Sequence, residues 1–142
     1  MTSQTQPKPQ GNYAAATRRG NQVFTAGMTP RRDGVLIRTG GVRSTDDLNL
    51  YKEAAQLAVG NAVKAARATL AEGEKIAQIL NMTVYVASAD QSFDKHSKIA
   101  DFASDYLFEE FGQSGISSRA AVGVFSLPGG SPLEISLIAA IE

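Results

Sequence analysis

Two charged residues stand at the edges of the most apolar part of this chain. Arg119 opens the run 120–125, and Glu134 lies just inside the run 133–141. A charge in or beside an apolar strand is costly unless it is paired, solvated or used. A guanidinium offers a planar fork of donors that matches a carboxylate. A carboxylate can hold a water molecule and take its proton. Two readings stand side by side: solvated or structurally paired charges at strand ends, or two parts of one site.

The elements that must position these charges follow from the flanking residues. Both runs are rich in Val, Ile, Leu and Ala, and the turn cluster Ser126-Leu127-Pro128-Gly129-Gly130-Ser131-Pro132 separates them. That pattern predicts two strands of a hairpin with a long loop. A turn centred near Gly129-Gly130 sets Glu134 opposite Phe125 rather than Arg119. The charges are then about five residues apart along the ribbon, roughly 16 Å at ~3.3 Å per residue. In that register they do not meet within one chain, and a shared site needs two copies.

The same residues carry a family resemblance. Ser118-Arg119-Ala120-Ala121-Val122-Gly123-Val124, then Ser126-Leu127-Pro128 and Leu133-Glu134-Ile135, resemble the C-terminal signature of the reactive intermediate deaminases (the YjgF/YER057c/UK114, RidA-like proteins). Gly11-Asn12-Tyr13, Gly20-Asn21-Gln22-Val23-Phe24-Thr25-Ala26-Gly27 and Pro30 match the N-terminal end. The resemblance spans about residues 11–142 and is nearest to a longer, divergent branch. It implies a chorismate-mutase-like fold (bacillus type), a homotrimer with active sites in the clefts between subunits, and hydrolysis of enamine and imine intermediates to 2-oxo acids and ammonia. By the same resemblance Arg119 holds the substrate carboxylate, and Glu134 positions or activates the attacking water. Tyr13 lines the site, the backbone at Gly27 and Ala121 approaches the ligand, and Ser97 on the second helix faces it. No metal or cofactor is implied. The alternative for Tyr13 is a half-buried strand aromatic, and for Gly27 an ordinary turn glycine.

Three positions depart from the best-known deaminases. A serine before the site glycine is Ala26 here, a helix asparagine is Ser97, and a cysteine after the arginine is Ala121. Each change removes a polar or soft group, so the expected chemistry comes with a different substrate range. His96, beside Ser97, reads as a surface helix residue, with the cleft as its alternative.

Composition narrows the function classes. The chain has 142 residues, suited to one domain with one core. Residues 1–10 read as a flexible polar arm, and 11–142 as a single domain. Fourteen basic and fourteen acidic residues cancel, leaving no overall field that would attract nucleic acid. There is no cysteine and one histidine, which argues against thiol chemistry, a zinc site and a two-histidine relay. No stretch reaches the roughly 18 apolar residues of a membrane span, and the N-terminus lacks a signal peptide's apolar core. The expected setting is cytoplasmic, with a small carboxylate-bearing ligand as partner and neither nucleic acid nor membrane.

Periodicity supplies the remaining elements. Residues 12–17 and 21–26 predict two short strands, and 35–38 a short edge strand. The hydroxyls and carboxylates of Ser44-Thr45-Asp46-Asp47 predict a helix start. That helix is expected over about 46–71, with an alanine face suited to close packing on a sheet. Leu80, Met82, Val84 and Val86 alternate as one face of a strand over 76–87. A second helix is expected over about 93–111, capped by Asp90 or Ser92. The fold class is α+β: two helices on one face of a mixed sheet. The other face is apolar and has no third helix to cover it, which predicts self-association. A non-catalytic carboxylate-binding trimer is the second functional reading, and an RNA-cleaving protein the third.

Overall fold

The computed structural model describes residues 6–142. The first five residues of the expected N-terminal arm lie outside this range. Residues 6–10 form neither helix nor strand, and the Gln10 amide donates to the Tyr13 hydroxyl at 3.0 Å.

The ordered part begins with β1 (Ala16–Arg19) and β2 (Gln22–Thr25), an antiparallel pair. A small ribbon follows, β3 (Arg31–Arg32) with β4 (Val35–Leu36), turning at Asp33-Gly34, both of which have positive φ. The strand expected over 35–38 thus belongs to this ribbon rather than to the main sheet. Asp47 caps a short 3-10 turn by accepting from the Asn49 amide, and α1 (Lys52–Arg67) continues from it. Then come β5 (Ile76–Ala87), α2 (His96–Phe111), β6 (Ser118–Val124) and β7 (Leu133–Ile141). The main sheet runs β1-β2-β7-β5-β6.

That order corrects the expected C-terminal hairpin. β6 and β7 are not neighbours, because β5 lies between them. β5 pairs in parallel with β6 and antiparallel with β7. It is the longest strand and buried on its helix-facing side, so it can satisfy two partners. β6 takes the outer edge. The charge spacing drawn from a hairpin register therefore does not apply.

Both helices pack on one face. The alanines of α1 (Ala54, Ala55, Ala58, Ala62, Ala65, Ala66) are buried, and their small side chains bring the helix axis close to β7. Asn61 is the polar exception on that face. It donates to the carbonyls of Thr29 and Arg31 at 3.2 and 2.9 Å and so ties the loop after β2 onto the helix. From α2, Ile99, Ala100, Ala103 and Leu107 complete the core. The expected cap at Asp90 or Ser92 does not form: α2 starts later, without a side-chain cap, and Asp90 instead accepts from the Ser44 and Ser92 amides. Along β5, Met82, Val84 and Val86 share the buried face as alternation requires. A register shift between Ile79 and Asn81 breaks the phase, so Ile79 rather than Leu80 enters the core.

Among the described residues, no helix covers the opposite sheet face. Phe24, paired with Ile138, is 43% exposed, and Val122, paired with Tyr85, is 37% exposed. Among the described residues no helix is long and apolar enough to cross a membrane.

Candidate active site

Arg119 lies on the edge strand β6 directly opposite Met82, and so faces the helix layer. There α2 supplies its partners. Nη1 donates to the Ser104 hydroxyl at 2.8 Å. Nη2 donates to the Ser97 hydroxyl at 2.9 Å and the Ser97 carbonyl at 3.2 Å, and pairs with the Asp101 carboxylate at 2.8 Å. The Arg119 side chain is 23% exposed, so the guanidinium can be reached from outside. Ser97, expected in the site, is therefore a direct partner of Arg119. Asp101 and Ser104 were not foreseen as partners. Asp101 follows Ser97 by four residues and Ser104 follows Asp101 by three, which places all three on one helix face, a signal present in the sequence.

Ala121 follows on the same face of β6, opposite Val84. Among the described residues no strand pairs with the outer edge of β6, so its outward backbone groups remain available to a ligand. One further step along this face is Gly123. His96 lies over it, at a distance that would bring a Cβ into the imidazole ring. The ring also reaches the Ser88 hydroxyl at 3.4 Å and packs edge-on against Phe93. His96 is thus a partly buried residue of the α2–β6 groove, not a surface residue as expected. Glycine at 123 makes room for it.

Glu134 belongs to the other side of the sheet. It pairs with Tyr85, three positions along β5 from the partner of Arg119. Side chains alternate faces, so an odd offset puts Arg119 and Glu134 on opposite faces. They are separated by roughly 10 Å along the strand and two spacings of ~4.8 Å across it. The sequence-based conclusion that they do not meet within one chain holds, but the sheet itself separates them.

What shapes the Glu134 environment is the loop after β2. The Met28 amide donates to the Ile135 carbonyl at 2.7 Å, and the Ile135 amide returns a bond to Met28 at 2.9 Å. This bridge lays Gly27 against the Glu134 side chain. A Cβ at 27 would lie 2.7 Å from the carboxyl carbon of Glu134, so only glycine leaves that rotamer in place. Among the described residues, none donates to the Glu134 carboxylate. Burial pushes its carboxyl up from the ordinary glutamate value. Gly27 also lines a cavity of about 70 Å³ with Tyr13, Thr29, Arg31 and Asn61. Tyr13 is half exposed there. Ala26, the residue before Gly27, is tied to Ala15 by a 2.8 Å backbone bond and offers no side-chain donor.

A prediction arises from this contact. Gly27→Ala is expected to rotate Glu134 out of its position at a cost of about 1 kcal/mol, the scale of a displaced rotamer. Thermal melting checks the small cost, and a crystal structure of the variant checks the displaced carboxylate. An unmoved Glu134 would overturn the prediction.

The chain thus sets its two charged residues in separate surroundings: Arg119 with Ser97 and the α2 polar face, and Glu134 against Gly27, which also lines the cavity with Tyr13.

Comparison with known proteins fits this architecture. The family model described as Endoribonuclease L-PSP matches residues 3–141. The chain is 28% identical over 131 residues to Protein TCP17 of Trypanosoma cruzi, covering 92% of this chain and 81% of that protein. It is 27% identical over 136 residues to a 2-iminobutanoate/2-iminopropanoate deaminase of Dermatophagoides farinae, covering 96% and 91%. The crystal structure of an Agrobacterium tumefaciens protein of unknown function superposes with a TM-score of 0.84 at 30% identity, covering 92% of this chain and 82% of the other.

Proposed function

Because this chain belongs to the Endoribonuclease L-PSP (YjgF/RidA) family, with its chorismate-mutase-like α+β fold, we propose that it is a metal-independent enamine/imine deaminase. It acts on 2-imino acids as a cytoplasmic homotrimer, with each site completed by two subunits. The observation that carries this reading is Glu134: a half-buried carboxylate with no donor partner among the described residues, held against Gly27, its proton affinity raised by burial. A base with raised proton affinity is better suited to deprotonating water near neutral pH than an exposed glutamate.

The steps balance simply. Arg119 of one subunit donates to the carboxylate of the substrate. An enamine first tautomerises to the imine, its carbon gaining a proton as its nitrogen loses one. Water, held by Glu134 of the neighbouring subunit, adds to the C=N carbon while Glu134 accepts one of its protons and passes it to the nitrogen, which gives the amino alcohol. Glu134 then takes the remaining hydroxyl proton as the C=O bond forms and the C–N bond breaks, and returns it to the departing nitrogen, so that ammonia leaves a 2-oxo acid. Tyr13 and the Gly27 backbone line the Glu134 side, and the edge of β6 at Ala121 lines the Arg119 side.

The deaminase relative from Dermatophagoides farinae supports this reaction class. The family description names RNA cleavage instead. Against it stand a net charge of zero and a single histidine, since metal-free RNA cleavage commonly uses a pair of acid–base groups and a basic surface.

The test is imine loss. An amino-acid oxidase generates 2-imino acids from a panel of amino acids, and their decay is followed with and without the protein. Accelerated decay for at least one side chain is the expected result. No acceleration across the panel overturns the reading in favour of a carboxylate-binding trimer without turnover.

A further inference from the structure

The Arg119 guanidinium is already engaged by an acid of its own chain. Asp101 approaches Nη2 at 2.8 Å, the Ser97 hydroxyl accepts from the same nitrogen, and the Ser104 hydroxyl accepts from Nη1. The Asp101 side chain is 49% exposed, so it stands at the open side of the cluster. A ligand carboxylate arriving at Arg119 has two ways to bind. It can share the guanidinium with Asp101, which sets two negative charges around one positive charge. Or it can displace Asp101, which breaks an existing ion pair. Both routes weaken carboxylate binding. A neutral carbonyl oxygen, such as that of an amide or ester, pays neither cost, because it accepts a hydrogen bond without adding charge.

We propose that Asp101 is a specificity residue of this site, levelling its affinity for carboxylates and neutral carbonyl groups. The substrate class then extends from 2-imino acids to imines flanked by an amide or ester. The inference rests on the deaminase reading for the identity of the site, and concerns what Arg119 will accept there.

The discriminating quantity is a ratio of affinities. Full-length protein is titrated calorimetrically with 2-oxobutanoate and with 2-oxobutanamide, which differ only in the charge of the group offered to Arg119. The wild-type ratio is expected to be near one. Asp101→Asn keeps the size and the acceptor oxygen but removes the charge. It should favour the carboxylate by up to about fivefold, the scale of one partly exposed ion pair. Asp101→Glu restores the charge and should return the ratio toward wild type. If Asp101 only orients Arg119, the two probes change together and the ratio stays fixed, which overturns the proposal. The outcomes are separable from the deaminase test. Imine loss without a change in ratio leaves the reaction and removes this inference. A change in ratio without imine loss does the reverse.

Discussion

Arg119→Ala is expected to reduce kcat/KM for 2-imino acid hydrolysis by about 10²- to 10³-fold, from the ~2–5 kcal/mol typical of deleting one partner of a hydrogen-bonded charge pair. The loss has two sources. The substrate carboxylate loses its cationic partner, and Asp101 is left beside the site as an uncompensated negative charge. Arg119→Lys keeps the charge but cannot span Ser97, Ser104 and Asp101 with one planar fork, so it should recover only part of the activity. Arg119 also pins α2 to the edge strand. Melting curves of both variants therefore accompany the kinetics. A folded Arg119→Ala protein with wild-type imine turnover would remove Arg119 from the site.

Glu134→Gln is expected to lower kcat by about 10²-fold or more, the contribution of a positioned general base. Glutamine fills the same space against Gly27 but cannot take a proton from water. The pH dependence gives a second, independent readout. Burial raises the Glu134 carboxyl, so activity requiring its ionised form should fall on acidification above the ordinary carboxylate range. That acid limb should be missing from whatever activity remains in Glu134→Gln. Stability should move the opposite way. The folded protein holds this proton more tightly than the unfolded chain does. Its stability therefore falls as pH rises from the ordinary glutamate value through the raised one, and stays lower above it. Glutamine avoids the cost of burying a charge, so the variant should melt higher than wild type at neutral pH. The gap should close once the pH is below both values. A variant both less active and more stable is the pattern of a group retained for function rather than for folding.

Local patterns in the chain were enough for most elements. The 3.6-residue period of alanines before Gly73 marks α1, and the period of two in 82–86 marks β5. Arg119 and Glu134 stood out because charge is expensive beside apolar strands, and Gly27 and Ser97 came into view through the family resemblance. These signals are local: each is set by a residue and its near neighbours in sequence. Strand partnership is not. The runs holding Arg119 and Glu134 are consecutive in sequence and look like a hairpin, yet β5, more than thirty residues earlier, inserts between them. A central strand is chosen by burial on both of its edges, a property of the assembled sheet. Nor could periodicity foresee the shift that exchanges Leu80 for Ile79, because one irregular residue resets the phase.

The site divides along the same line. The sequence by itself determined which groups are present: one guanidinium and one carboxylate beside apolar strands, one histidine, no cysteine, and balanced charge. Only the tertiary structure decided what each faces. It placed Arg119 under α2 with Asp101 in its grasp, set His96 over Gly123, and turned Glu134 to the far side of the sheet against Gly27. The physical reason is that a strand residue's face depends on its register with a partner, and that register is fixed by contacts distant in sequence.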